Sequence, residues 1–95
     1  MIIEYARRAV TDLDRISDYY FSSANARTAA RFEARLLSVV QRIAKRPESA
    51  RPVADRPGVR IALLTPFPYK VYYRIVAADR IRILHIRHMS RAPLE

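Results

Sequence analysis

The sequence predicts an α+β domain in which a two-helix antiparallel hairpin covers one face of a twisted antiparallel sheet. Three observations lead there. Between residues 9 and 44, two successive stretches repeat apolar side chains at helical spacing. A segment rich in proline follows at 46–58. Three runs with strand-like alternation come last, joined by TPFP and AAD, connections short enough for hairpins. Helices grouped before strands, rather than alternating with them, suit an α+β layer arrangement. The 95 residues make a single domain, 1–95.

Each element has its own local reason. IIEY, residues 2–5, suits a short edge strand at the amino terminus. TDLDRISDYYFSS, residues 11–23, is helical: Ala9, Leu13, Ile16 and Tyr20 fall at i, i+4, i+7 and i+11. Thr11 is placed to cap that helix, with Asp12 and Asp14 in the first turn, where the helix dipole favours anions. SSAN at 22–25 separates it from a second helix, which runs from about Ala26 to Lys45. There Ala29, Phe32, Leu36, Leu37, Val40, Ile43 and Ala44 make one apolar face, and Arg27, Arg31, Arg35 and Arg42 occupy the rest of the cylinder. Pro47 biases Arg46 away from helical geometry and stops the helix. The segment 46–58 holds three prolines and the only glycine and reads as a loop.

The strand runs are VRIALL (59–64), YKVYYRIV (69–76) and RIRILHIR (80–87), expected as an antiparallel meander. Alternation puts Tyr69, Val71, Tyr73 and Ile75 on one face, and Lys70, Tyr72, Arg74 and Val76 on the other. In the last run it sets Leu84 and Ile86 against Ile83 and His85. Both faces of that run carry apolar load, which suits a central or well-covered strand. The sheet face away from the helices is expected to be free and to carry Arg60, Lys70, Tyr72 and Arg74 or their neighbours.

Composition narrows the functional classes. Hydrophobic residues are 51%, so a packed core is expected. A chain of this size buries a modest fraction of its surface, so a stabilising partner is in keeping with it. Without cysteine there is neither a disulfide framework nor thiolate chemistry, and two histidines are too few for a dedicated zinc site; no metal or cofactor is expected. No apolar run approaches the roughly 18 residues a membrane helix needs, and MIIEYARR lacks a signal-peptide layout. A soluble, cytoplasmic protein is expected.

Charge is the strongest compositional signal. Sixteen arginines and two lysines face nine acids, for a net charge of +9. The excess is uneven: residues 56–94 hold eight cations and one acid, Asp79, or +7. A localised excess points beyond solubility to a polyanion or an acidic protein partner. Arginine in particular offers planar, bidentate contacts to carboxylate and phosphate.

The helical hairpin followed by PYKVYYRIVAADRIRILHIRHMSR resembles the RelE/ParE superfamily of bacterial type II toxins. The likeness is carried by Pro68, Tyr69, Lys70, Val71, Tyr72, Tyr73, Arg74 and Ile75, then Asp79, then Ile83, Leu84, His88 and Arg91. It covers nearly the whole chain and rests on the combination of length, order, charge and spacing. The resemblance implies a toxin neutralised by a small, acidic cognate antitoxin of the ParD kind, in a hetero-oligomer. It also implies one of two targets: RelE-like members cleave messenger RNA on the ribosome, and ParE-like members act on DNA gyrase.

Metal-free RNA cleavage requires a base for the 2′-hydroxyl proton, an acid for the leaving oxygen and cations for the charge on phosphate. By resemblance, Arg60, Lys70 and Arg91 stand where RelE-like members place basic catalytic residues, and His88 is the available proton-transfer group. RelE-like members carry a Tyr or a His-Tyr pair near the carboxyl terminus; here Met89 and Ser90 stand there, and no Tyr follows Tyr73. Ala62 replaces a second basic residue. These departures favour the ParE-like branch, acting by binding. Arg74, Arg87, His88 and Arg91 are then the expected target-binding residues, and Leu36, Val40, Arg60, Tyr72 and Arg74 the expected antitoxin-binding set. His85 reads as a packing residue of the sheet, as do Tyr69, Tyr72 and Tyr73. A non-toxic nucleic-acid-binding module is a third class, permitted by the charge and the strand aromatics.

Overall fold

The computed structural model describes residues 1–90. The chain runs β1 (Ile2–Tyr5), α1 (Arg7–Ser23), α2 (Ala26–Lys45), β2 (Arg51–Pro52), β3 (Val59–Leu63), β4 (Tyr69–Ala77) and β5 (Arg80–His88). The five strands form one sheet in the order β1-β5-β4-β3-β2. β1 pairs with β5 in parallel, and every other pairing is antiparallel. The expected meander is therefore β3-β4-β5, with the amino-terminal strand added to the far side of β5. The proline-rich segment differs from expectation: it contributes β2, a two-residue edge strand with Arg51 opposite Ile61 and Pro52 opposite Arg60. Proline is tolerated there because an edge strand leaves one side of its backbone unpaired.

α1 begins one turn earlier than its acidic run suggests. Ala6 is the N-cap and supplies no side-chain bond; Thr11 lies inside the helix and its hydroxyl donates to the Arg7 carbonyl at 3.2 Å. Neither Asp12 nor Asp14 is in the first turn. The apolar start, Ala9 onward, packs on the sheet and pulls the helix boundary back. α2 matches its expected bounds and is capped by Asn25, whose Oδ1 accepts from the Thr28 N–H at 2.8 Å.

The core lies between the hairpin and one sheet face. Phe32, Leu36, Val39, Val40 and Ile43 of α2 meet Val71 and Tyr73 of β4 and Ile81, Ile83 and Ile86 of β5. Leu37, expected on the buried face, is 56% exposed, and Val39 takes its place. An aromatic knot of Tyr20, Phe32, Phe67 and Tyr69, with ring centroids 5.5 to 6.3 Å apart, ties both helices to the β3–β4 turn. Arg35 Nε donates to the Thr65 carbonyl at 2.7 Å and holds α2 to that turn. The Tyr73 hydroxyl donates to the Pro47 carbonyl at 2.6 Å, anchoring the proline-rich loop.

β5 breaks strict alternation. Tyr72 pairs with His85 but Tyr73 pairs with Ile83, leaving Leu84 as an extra residue in a bulge. A one-residue bulge inverts side-chain parity. Ile81 and Ile83 before it and Ile86 after it therefore all face the core. The bulge sits where β1 ends: Tyr5 opposes Ile83, and the Ala6 N–H donates to the Ile83 carbonyl at 2.9 Å. Beyond that point β5 has no strand on this side. Asp12 of α1 fills the role, its Oδ2 accepting from the Ile86 N–H at 3.1 Å while Oδ1 accepts from Arg15 at 3.0 Å.

Two outcomes follow for stability. Asp12→Ala leaves the Ile86 N–H unpaired and should destabilise the fold by about 1–3 kcal/mol, the cost of an orphaned buried donor. Urea unfolding measures the loss, and amide hydrogen exchange should show Ile86 as the site of lost protection. Phe32→Ala should cost about 3–5 kcal/mol, as for other buried phenylalanines, a large part of a total of roughly 5–15 kcal/mol.

Candidate functional site

The sheet face away from the helices is built in cross-strand rows. Glu4, Arg82, Arg74 and Val59 form the first row; His85, Tyr72, Ile61 and Arg51 the second; Arg87, Lys70 and Leu63 the third. Glu4 is the one carboxylate in these rows and is already engaged, 2.6 Å from Arg82 and 3.7 Å from Arg80. The remaining charges, Arg51, Lys70, Arg74 and Arg87, have the same sign. The face is less open than expected, because Val59 and Tyr72 on it are fully buried. The loop after β2 folds back onto β3 here: Val53 N–H donates to the Val59 carbonyl at 2.9 Å, and Val59 N–H to the Arg56 carbonyl at 3.0 Å. The Lys70 ammonium lies 5.6 Å from the Tyr72 ring centroid.

His85 sits among these groups, its ring 6.3 Å from that of Tyr72. Burial holds its pKa below the ordinary value of 6.5, and the charges of Arg8, Arg56 and Arg87 lower it further against the opposing pull of Asp12. Four polar atoms in this area are buried without a hydrogen-bond partner among the described residues: Arg56 Nη1, Tyr72 Oη, His85 Nδ1 and Arg87 Nε.

His88 lies elsewhere. It pairs with Tyr69, on the core side of the sheet, with ring centroids 5.3 Å apart. Its Nδ1 accepts from the Ser90 N–H at 3.1 Å and lies 2.7 Å from the Ser90 hydroxyl. The ring helps to line an open cleft of about 530 Å³ with Arg15, Tyr19, Tyr20, Tyr69, Arg87 and Ser90. Burial pushes the Tyr20 hydroxyl above its ordinary pKa, with Tyr69 adding to the effect.

Several expected site residues change role. Arg60 is not on the basic face: it pairs with Tyr73, on the helix side, and its guanidinium donates to the Glu48 and Ala50 carbonyls at 3.0 and 2.8 Å. It staples the proline-rich loop. Leu36 and Val40 are 3% and 2% exposed because the apolar stripe of α2 points at the sheet. Tyr72 is likewise covered. Of the set Leu36, Val40, Arg60, Tyr72 and Arg74, only Arg74 is exposed. Lys70, Arg74 and Arg87 do share one face by register; His88 alternates from them along β5, although it and Arg87 both line the cleft beside α1. Arg91 lies outside the described residues.

Two residues escaped sequence reasoning. Arg56 stood in a loop read only for its prolines, and no local pattern marks it. His85 was placed with the packing residues; the spacing Ile81, Ile83, Ile86 was the available sign that a bulge swings it to the charged face.

The model of the ParE toxin of type II toxin–antitoxin systems, parDE, matches residues 3–93. The chain belongs to the ParE toxin family. Among solved structures, this family member is similar to a chain of the chromosomal ParDE TA system from P. aeruginosa, at 26% identity over 95% of this chain and 97% of that one, with a TM-score of 0.80. It shares its fold with a YoeB/ParE toxin from Agrobacterium tumefaciens, at 14% identity over 93% and 98% of the two chains and a TM-score of 0.69. Comparison with curated protein sequences gives no significant match. No helix among the described residues is long and apolar enough to cross a membrane.

The position of His85 gives this ParE-family chain a definite pH response. Its folded pKa lies below the unfolded value, so the unfolded chain binds more protons in that interval and stability falls as pH is lowered. The contribution is fully present above about pH 6.5 and is lost as pH drops through the folded pKa. Urea unfolding at several pH values should show this loss, and His85→Gln should flatten it.

Proposed function

We propose that this chain is the toxin of a type II pair that arrests growth by binding DNA gyrase, and that a small acidic antitoxin neutralises it. Family membership supports the toxin class. The observation that carries binding over RNA cleavage is the separation of the groups a nuclease would bring together. Lys70 lies on the basic face, Arg60 is folded against loop carbonyls on the other side, and His88, which shares a cleft with Arg87, has its Nδ1 engaged by Ser90. General acid–base catalysis needs its proton-transfer groups within hydrogen-bond reach of one phosphate and of each other's work. What remains on the basic face is charge, which suits capture of an acidic surface or a nucleic-acid-bound protein.

The antitoxin reading rests on the same charge and on the ParDE assembly of the P. aeruginosa relative. An acidic segment that folds on binding would meet Arg74 and its neighbours rather than the closed core behind Leu36 and Val40. Cytoplasmic location follows from a target of this kind.

A supercoiling assay with purified toxin should show gyrase inhibition, and a translating extract should show intact messenger RNA. RNA cleavage without gyrase inhibition would overturn the proposal. Arg74→Glu and Arg87→Glu should each weaken inhibition by about tenfold or more, the scale of a lost charge-assisted bond. Binding to the product of the adjacent reading frame should be tighter than about 1 μM, or roughly −8 kcal/mol, and should weaken as salt is raised.

A further inference from the structure

Buried polar atoms without partners are rare in folded proteins, and each asks for an explanation. Here four of them come from three separate elements and meet on one side of the sheet. Arg56 comes from the loop after β2, Tyr72 from β4, and His85 and Arg87 from β5. His85 and Tyr72 are directly opposite across the strands, and Arg87 lies two residues beyond His85 on the same face. Tyr72 is fully buried, and its hydroxyl has no hydrogen-bond partner among the described residues. Three of the four atoms belong to guanidinium or hydroxyl groups that donate, and the fourth, an imidazole Nδ1, donates in one neutral tautomer and always when the ring carries both protons. Among the described residues no carboxylate forms an ion pair with them: Asp12, whose charge His85 feels, already spends one oxygen on Ile86 and the other on Arg15.

From this geometry we infer that Arg56, Tyr72, His85 and Arg87 form a receptor for a single oxyanion, a carboxylate or a phosphate-type group, which binds together with a proton on His85. The inference stands apart from the gyrase reading, because it concerns the isolated chain and a small anion. The reasoning is electrostatic. Donors converging from a loop and two strands match the several lone pairs of an oxyanion, and hydrogen bonds to an ionised acceptor in a site of low polarity are the strong kind. In the free protein the imidazole is discouraged from ionising by burial and by Arg8 of α1, Arg56 of the loop and Arg87 of its own strand, with Asp12 of α1 opposing and the neutral Tyr72 of β4 alongside. An anion placed among these groups reverses the balance, so proton and anion must favour each other's binding by the same factor.

Sulfate and acetate are the probes: sulfate keeps its charge and acetate stays predominantly ionised between about pH 5.5 and 7.5, the interval in which a histidine titrates. The full chain is titrated with each at constant ionic strength, with chloride as the compensating salt, and the His85 and His88 ring resonances and arginine Nε–H resonances are followed by NMR. The expected result is a saturable shift at His85, Arg56 and Arg87 with His88 unmoved, and a higher His85 midpoint at saturation. Arg56→Gln and Arg87→Gln should each lower affinity by about tenfold or more. His85→Gln should keep binding at pH 7.5 and lose its strengthening at pH 5.5. Tyr72→Phe removes only the hydroxyl and should weaken binding in a chain whose amide spectrum shows the fold intact. Saturation by sulfate alone assigns a tetrahedral dianion, and saturation by both probes extends the site to carboxylates. Shifts that stay linear, that chloride reproduces, or that survive unchanged in the Arg56 and Arg87 variants would overturn the inference.

Discussion

The buried contact between the Asp12 carboxylate and the Ile86 amide fixes the part of the molecule that matters most. β5 lies between β1 and β4, but β1 ends opposite Ile83 while β4 continues to the partner of His88. The strand edge from Leu84 onward would otherwise carry unpaired amides under a helix, an arrangement proteins avoid. Asp12 resolves it by lending a side chain as a surrogate strand. A carboxylate that is only 3% exposed requires compensation of its own, and receives it from the amide and from Arg15. The contact also locks the register of α1 on β5 at the point where β5 bulges. Helix placement, strand termination and the inverted parity of the last four strand residues are thus one coupled solution.

That parity divides the carboxyl-terminal residues between two environments. Ile86 and His88 join the aromatic core side, with Tyr69 and Tyr20. His85 and Arg87 turn to the basic face, with Tyr72 and Lys70. Without the bulge the assignments would exchange, and a polar, cationic pair would point into the apolar layer. Arg60 shows the same economy from the other direction: a cation on the helix side is tolerated because two loop carbonyls accept from it. Its charge serves the loop, and the loop in turn brings Arg56 to the basic face.

Much of this was legible in the sequence, for identifiable reasons. α2 could be read to its ends because the break at SSAN, a long apolar stripe and a following proline all agree. The meander was legible from alternation and short connections. β2 was not, because a two-residue strand made of Arg51 and Pro52 has no periodicity, and its pairing is decided by the turn that follows. The start of α1 was misjudged because Thr11 and its acids imitate a cap. Ala9, Asp12 and Ile16 are the buried members of the α1 stripe, and an acid at such a position requires a buried donor. The face of each β5 residue depended on the bulge, which period-two reasoning cannot generate. Of the basic site, Lys70, Arg74 and Arg87 were legible by alternation along one strand and resemblance for the other; Arg56 required the tertiary fold.

The basic face itself carries an argument about partners. Direct cross-strand neighbours of like charge are destabilising, and here two such pairs occur, Arg74 with Arg82 and Lys70 with Arg87. Glu4 relieves the first in part. The second has no acid beside it in the cross-strand rows, and it adjoins the unpartnered donors around His85. A cost of roughly 0.2–1 kcal/mol for each cross-strand pair is small beside the roughly 1–3 kcal/mol secured by one buried contact of the Asp12 kind. The fold can therefore hold the repulsion in reserve. A ligand that brings negative charge to the face removes the repulsion and supplies acceptors at once, so its binding is strengthened by strain already present in the free protein. Packing alone gives no reason to align cations in this way.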